Sequence, residues 1–307
     1  MRMRAILTVI RWGRRAREAG AAGLVLVVLA TGGCDASRSG PPDDARLQVV
    51  ASFYPLAEAA RRVGGGCVEV VDLTPSGVEP HDVELAPDAL EAIATADVVV
   101  YMGAGFQPAI EEGLDEASGL PVDALRGQPT LPAGDGAGVD PHVWLDPSRY
   151  AKVAESIAAA LVAAGARPEC AIDARTDAFR DELTLLDAEL ATGLERCDDE
   201  VIVTSHAAFA YLADAYGLRQ EAIAGIEPES EPDARRMAEL REMLVREGVS
   251  TVFTEELVAP DVAETLASEV GARTAVLRTI ETDPEGGDYA SAMRENLRVL
   301  RDALGCA

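Results

Sequence analysis

Twice along the chain, short runs of β-branched residues alternate with helical stretches, and one long apolar helical stripe separates the two series. That order constrains the fold to paired α/β lobes, because strand and helix in alternation build a parallel sheet through right-handed crossovers. In the first series, residues 47–52 and 68–73 read as strands around a helix over 55–63 that stops at Gly64-Gly65-Gly66. A further strand over 97–101 follows an amphipathic stretch at 87–94. The second series has strands over 201–204, 251–254 and 275–277, with helices near 209–216, 233–247 and 260–270. Between them, over 168–196, Ile172, Phe179, Leu183, Leu186, Leu190 and Leu194 fall on one helical face. A helix of roughly 28 residues is about 40 Å long. Bending it breaks backbone hydrogen bonds, so lobes joined this way open less widely than lobes joined by flexible strands. The expected fold class is therefore α/β: two lobes, at 47–166 and 197–307, each a mostly parallel sheet flanked by helices, joined by one long rigid helix at 167–196.

The start of the chain points to export. Six arginines, from Arg2 to Arg17, precede an apolar run over 21–30, the length of a signal core rather than of a membrane span. The run ends at Thr31-Gly32-Gly33-Cys34, where small residues precede a cysteine as in a bacterial lipoprotein signal, although Thr31 departs from the aliphatic residue usual there. Residues 1–33 are expected to be removed, Cys34 to carry a lipid, and 34–46, rich in Gly, Pro and Ser, to serve as a flexible tether. The expected location is periplasmic or at the cell surface, with the protein held to the membrane through Cys34.

The whole chain carries a formal charge of −26, and loss of residues 1–33, with six arginines and one glutamate, takes the remainder to −31. So acidic a surface excludes nucleic acid and anionic lipid as partners and favours a soluble monomer that attracts cations. Beyond Cys34 stand Cys67, Cys170, Cys197 and Cys306, an even number that permits disulfides in an exported chain. Cys197 and Cys306 share the C-terminal region and are the pair expected first. No Cys-x-x-Cys occurs, which argues against a thiolate metal site.

Of 307 residues only three are histidine, and each sits in a short polar signature: Glu79-Pro80-His81-Asp82, Asp140-Pro141-His142-Val143-Trp144 and Thr204-Ser205-His206-Ala207. Neutral imidazole is the commonest protein ligand for zinc, and three distant histidines share an ion only if the fold brings them together. His81 follows the strand over 68–73 and His206 the strand over 201–204, so both occupy the carboxyl edge of a sheet, where open α/β sheets bind ligands. The parallel placement predicts one site in the cleft between the lobes. His142 precedes a helix starting near Asp146-Pro147-Ser148, with Asp146 as its cap and Asp140 as a turn residue or a support for the ligand.

The segments 52–55, 77–82, 140–147, 204–212, 253–255 and 288–297 resemble, in this order across nearly all of the chain after residue 46, the zinc/manganese solute-binding proteins of bacterial ABC transporters. The resemblance implies two α/β lobes bridged by a helix, with one metal between them. It implies metal ligands at His81, His142 and His206, and a carboxylate at Glu281, with Asp283 the alternative two residues on. It implies a transported cargo, Zn2+, with Mn2+ or iron(II) as alternatives, and as partner a permease with its ATPase. Members tuned to manganese often carry glutamate where this chain has His206; nitrogen donors suit zinc better. Many zinc importers also carry a histidine-rich loop. No histidine remains here for one, so any such role falls to acids such as Glu111, Glu112, Asp115 and Glu116.

An exported zinc hydrolase is the competing class, since three histidines and an open position also make a catalytic zinc. No His-Glu-x-x-His signature is present, and a fourth protein ligand closes the site, so no enzyme activity is expected.

Overall fold

The strands that lie at the centre of each sheet are the most apolar in the chain. A computed structural model describes residues 46–134, 138–284 and 286–307. The signal over 1–33, Cys34 and all but the last residue of the tether lie outside the described residues. In the first lobe, β1 (Leu47–Ala51), β2 (Val68–Asp72), β3 (Val98–Tyr101) and β4 (Leu120–Asp123) form a sheet in the order β2-β1-β3-β4, parallel throughout. In the second, β5 (Val201–Thr204), β6 (Arg219–Ala222), β7 (Thr251–Thr254) and β8 (Arg273–Val276) repeat that plan as β6-β5-β7-β8, again parallel. The strand order reverses beside β1 in one sheet and beside β5 in the other, and such switch points open a crevice at the carboxyl ends of the strands.

Helices cover both faces of each sheet. Smaller apolar clusters pack outside: Val50 and Val99 with Ile93 of α2 (Pro87–Thr95) and Ile110 of α3 (Pro108–Gly113), and Val203 with Leu244 of α7 (Ala234–Glu247) and Leu266 of α8 (Asp261–Val270). The largest core is common to both lobes. It runs from Val49 of β1 and Leu56 of α1 (Tyr54–Gly64), through Trp144, Ile157 of α4 (Pro147–Ala163) and Leu183, to Tyr211 of α6 (Ala210–Tyr216), Phe253 of β7 and Met293 of α9 (Tyr289–Leu304). Since apolar burial contributes roughly 25 cal/mol per Å², prying the lobes apart would expose this shared core at considerable cost.

The long helix between the lobes, α5, spans Ile172–Leu194 and buries the whole predicted stripe. It begins later than the expected 168. Pro168–Cys170 is a separate 3-10 turn, and Ala171, with φ of 50°, adopts a left-handed conformation that no α-helix continues through. Both ends of α5 adjoin disulfides: Cys170 is bonded to Cys67, and Cys197 to Cys306, the second being the pair expected first.

Candidate metal centre

Each histidine is delivered by a different local device. After β2, Pro80 opens a 3-10 turn over Pro80–Asp82, and Glu79 caps it by accepting the His81 backbone N–H at 3.3 Å. Asp140 Oδ1 accepts the backbone N–H of His142 at 2.9 Å and faces its Nδ1 at 2.8 Å, while Tyr211 donates its hydroxyl to the Asp140 carbonyl. Asp146 caps α4 through the N–H groups of Ser148 and Arg149. His206 lies two residues beyond Thr204 of β5. Thr204 pairs with Phe253 of β7, so Glu255, two residues beyond Phe253, arrives alongside. Glu255 Oε1 accepts the His206 backbone N–H at 3.0 Å, and Oε2 meets Nδ1.

Glu281 comes from the loop after β8. Its Oε2 accepts the Thr279 hydroxyl at 2.7 Å, which leaves Oε1 free to point inward. The residue before it, Ile280, has φ of 57°, a left-handed conformation rare for a β-branched side chain. Glu281 is buried in the cluster, whereas Asp283 is exposed outside it.

One donor atom from each of His81, His142, His206 and Glu281 falls within 4.8 Å of all the others. Glu281 Oε1 is 4.0 Å from His81 Nε2 and 3.8 Å from His142 Nε2. Donors about 2.0–2.1 Å from a tetrahedral ion stand roughly 3.3 Å apart, so only a small contraction separates this arrangement from zinc geometry. The three Nε2 atoms and Oε1 are all buried and have no hydrogen-bond partner. Unpartnered buried polar atoms are costly, and a cation relieves four at once. Phe106 packs on His81 with ring centroids 4.4 Å apart and Trp144 on His142 at 5.2 Å, giving the donors an apolar wall that excludes water.

The electrostatics divide the histidines. Burial pushes the His142 pKa down despite Asp140, which keeps its ring neutral. Burial also opposes protonation of His206, but the adjoining Glu255, with help from Glu281 and Glu79, outweighs it and raises the pKa to about 9. Burial, then the nearby Glu281, raise the Glu79 carboxyl to about 7.

Two participants escaped the sequence reading. Glu255 ends the 253–255 segment, but its pairing with His206 depends on the β5–β7 register. Glu227, on the segment between β6 and α7, approaches His81 Nδ1 to 3.5 Å, and no sequence signal singles it out among the neighbouring acids. Of the acids Glu111, Glu112, Asp115 and Glu116, Glu111 accepts the Gly105 backbone N–H at 2.7 Å.

Residues 49–303 match the family model described as zinc-uptake complex component A, periplasmic (ZnuA). The chain is 31% identical over 300 residues to the high-affinity zinc uptake system protein ZnuA of Bacillus subtilis, covering 91% of this chain and 94% of that one. It is 33% identical over 279 residues to the zinc-binding lipoprotein AdcA of Streptococcus pneumoniae serotype 4, covering 84% of this chain but 56% of AdcA, so it spans about half the length of that relative. The crystal structure of the Zn(II)-bound ZnuA-like domain of S. pneumoniae AdcA superposes with a TM-score of 0.73 at 34% identity, covering 84% of this chain and 99% of that domain.

Proposed function

This chain belongs to the ZnuA family of zinc-uptake components, and from that membership we propose that it is the zinc-capturing, solute-binding component of an ABC importer. His81, His142, His206 and Glu281 take one zinc ion from solution, hold it in the cleft between the lobes, and present it to a membrane permease driven by an ATPase. The observation that carries this reading is the convergence of four buried, unpartnered donor atoms on one point. Three imidazoles and one carboxylate suit zinc above manganese, whose harder ion favours oxygen. Four protein donors complete a tetrahedral shell and leave no coordination position for a substrate, which favours transport over hydrolysis. The same reading has the chain exported as a monomer and anchored through Cys34; no described helix is long and apolar enough to cross a membrane.

The geometry supports a simple cycle. Asp140 and Glu255 orient two rings before the ion arrives, so little ordering is left to the binding step. An incoming zinc displaces the proton that His206 carries in the metal-free site. Competition titration against a chromophoric chelator tests the reading. One zinc per chain is expected, with manganese at least a hundredfold weaker; manganese preferred, or two equally tight zinc ions, overturns it.

A further inference from the structure

Each of the three histidines turns Nε2 toward the centre, and each Nδ1 faces a carboxylate. Two of these partners are buried fixtures. Asp140 lies beside His142 in its own loop and Glu255 beside His206 in the same sheet, each with a side chain 1% exposed. The third differs in every respect. His81 belongs to the first lobe and Glu227 to the second, the carboxylate is 61% exposed, and the gap of 3.5 Å leaves the fully buried His81 Nδ1 without a hydrogen-bond partner. The loop that carries Glu227 is well braced. Ala224 N–H donates to the Ser205 carbonyl at 2.8 Å, Ala207 N–H to the Gly225 carbonyl at 2.9 Å, and the Ser230 N–H and hydroxyl close a turn on the Glu227 carbonyl. The carboxylate is thus presented across the cleft at a near miss.

We propose that Glu227 is a latch, a positioning residue that closes onto His81 when zinc binds and sets how slowly the ion leaves. The reasoning rests on the zinc-binding reading above. A neutral imidazole carries one proton on either nitrogen, and with the proton on Nε2 the bare Nδ1 lone pair repels a carboxylate. Zinc on Nε2 forces the proton to Nδ1 and polarises that N–H, so the repulsion becomes a charge-assisted hydrogen bond. Reaching about 2.8 Å asks the exposed carboxylate to move roughly 0.7 Å, within reach of a side-chain rotation on the braced loop. Metal and latch then stabilise one another by the same factor, because coupling between two sites is reciprocal. Since the two partners come from opposite lobes, the bond also holds the cleft shut over the ion.

Zinc release into excess chelator, timed by stopped flow for wild type, Glu227→Ala and Glu227→Gln at low and at high salt, tests the latch. The alanine variant is expected to release zinc about tenfold faster at both salt concentrations, within the range seen when a ligand's outer partner is lost. The glutamine variant, which keeps an acceptor oxygen without charge, is expected to fall between. Unchanged release from Glu227→Ala overturns the latch. So does an effect confined to association and erased by high salt, since that marks mere attraction of cations by a surface charge. A wild-type protein that takes up no zinc sinks the zinc reading, and the latch with it; unchanged release from a variant of a zinc-binding wild type sinks the latch alone.

Discussion

Both carboxylate oxygens of Glu255 are devoted to His206, one accepting its backbone N–H at 3.0 Å and the other meeting its ring Nδ1. The histidine is thereby fixed in position from a neighbouring strand, with Nε2 left to face the other donors. Glu255→Ala is expected to weaken zinc binding ten- to a hundredfold, the usual cost of losing a ligand's outer partner. Competition titration measures it, and Glu255→Gln, which keeps one acceptor, is expected to lose less.

Zinc uptake should release protons. His206 has its pKa raised to about 9 in the metal-free protein, so at neutral pH its ring is protonated and must shed that proton to bind. Apparent affinity therefore rises with pH by about tenfold per unit for this one proton, and levels off above about 9. Calorimetry in buffers of different ionisation enthalpy counts the proton directly; a buffer-independent heat at pH 7 contradicts the assignment.

The raised pKa also has a consequence for stability without metal. A histidine whose folded pKa exceeds the ordinary 6.5 contributes stability that is fully present below 6.5 and lost as pH rises through 9. The metal-free protein should melt at lower temperature at pH 9 than at pH 6.5 through this group. The slope should flatten in His206→Gln, which is read by thermal denaturation across that window.

Glu281→Ala should weaken zinc binding while leaving it measurable, because water can fill the vacated position beside three imidazoles. Asp283→Ala, at an exposed residue outside the donor cluster, should bind as wild type does. Side-by-side titrations decide between them, and loss confined to the Asp283 variant reverses the assignment.

Ile280, at φ of 57°, offers a backbone test. Glycine adopts this conformation freely, whereas alanine retains most of the strain, of order 1 kcal/mol. Both substitutions remove the buried side chain, so Ile280→Gly should be the more stable of the two in denaturant titration. That reverses the ordinary ranking of alanine above glycine.

Much of the fold was legible because its central strands, β1, β3, β5 and β7, are apolar enough to announce themselves. Of the edge strands, β2 and part of β8 were legible too, but β4 and β6 were not. β4 carries Pro121 and has no fully buried residue, and β6 reads Arg-Gln-Glu-Ala; each is ordered by pairing with its neighbour rather than by its own pattern. The three histidines were conspicuous through their scarcity, and a family resemblance pointed to Glu281. What lies around them was hidden, since Glu255 depends on strand register and Glu227 on the approach of one lobe to the other.

The two disulfides join residues 103 and 109 apart, from Cys67 to Cys170 and from Cys197 to Cys306, and their spans do not overlap. Covalently, the described chain is therefore two closed rings on a string, with α5 as the only stretch of string between them. A single cut inside either ring leaves the chain covalently in one piece until a reductant is added, whereas a single cut between 171 and 196 leaves the lobes held together by packing alone. The uncrosslinked helix is also among the stretches best shielded from proteases, because α5 holds its backbone in helical hydrogen bonds and one face in the shared core. Where the covalent graph has its weakest link, the packing is dense.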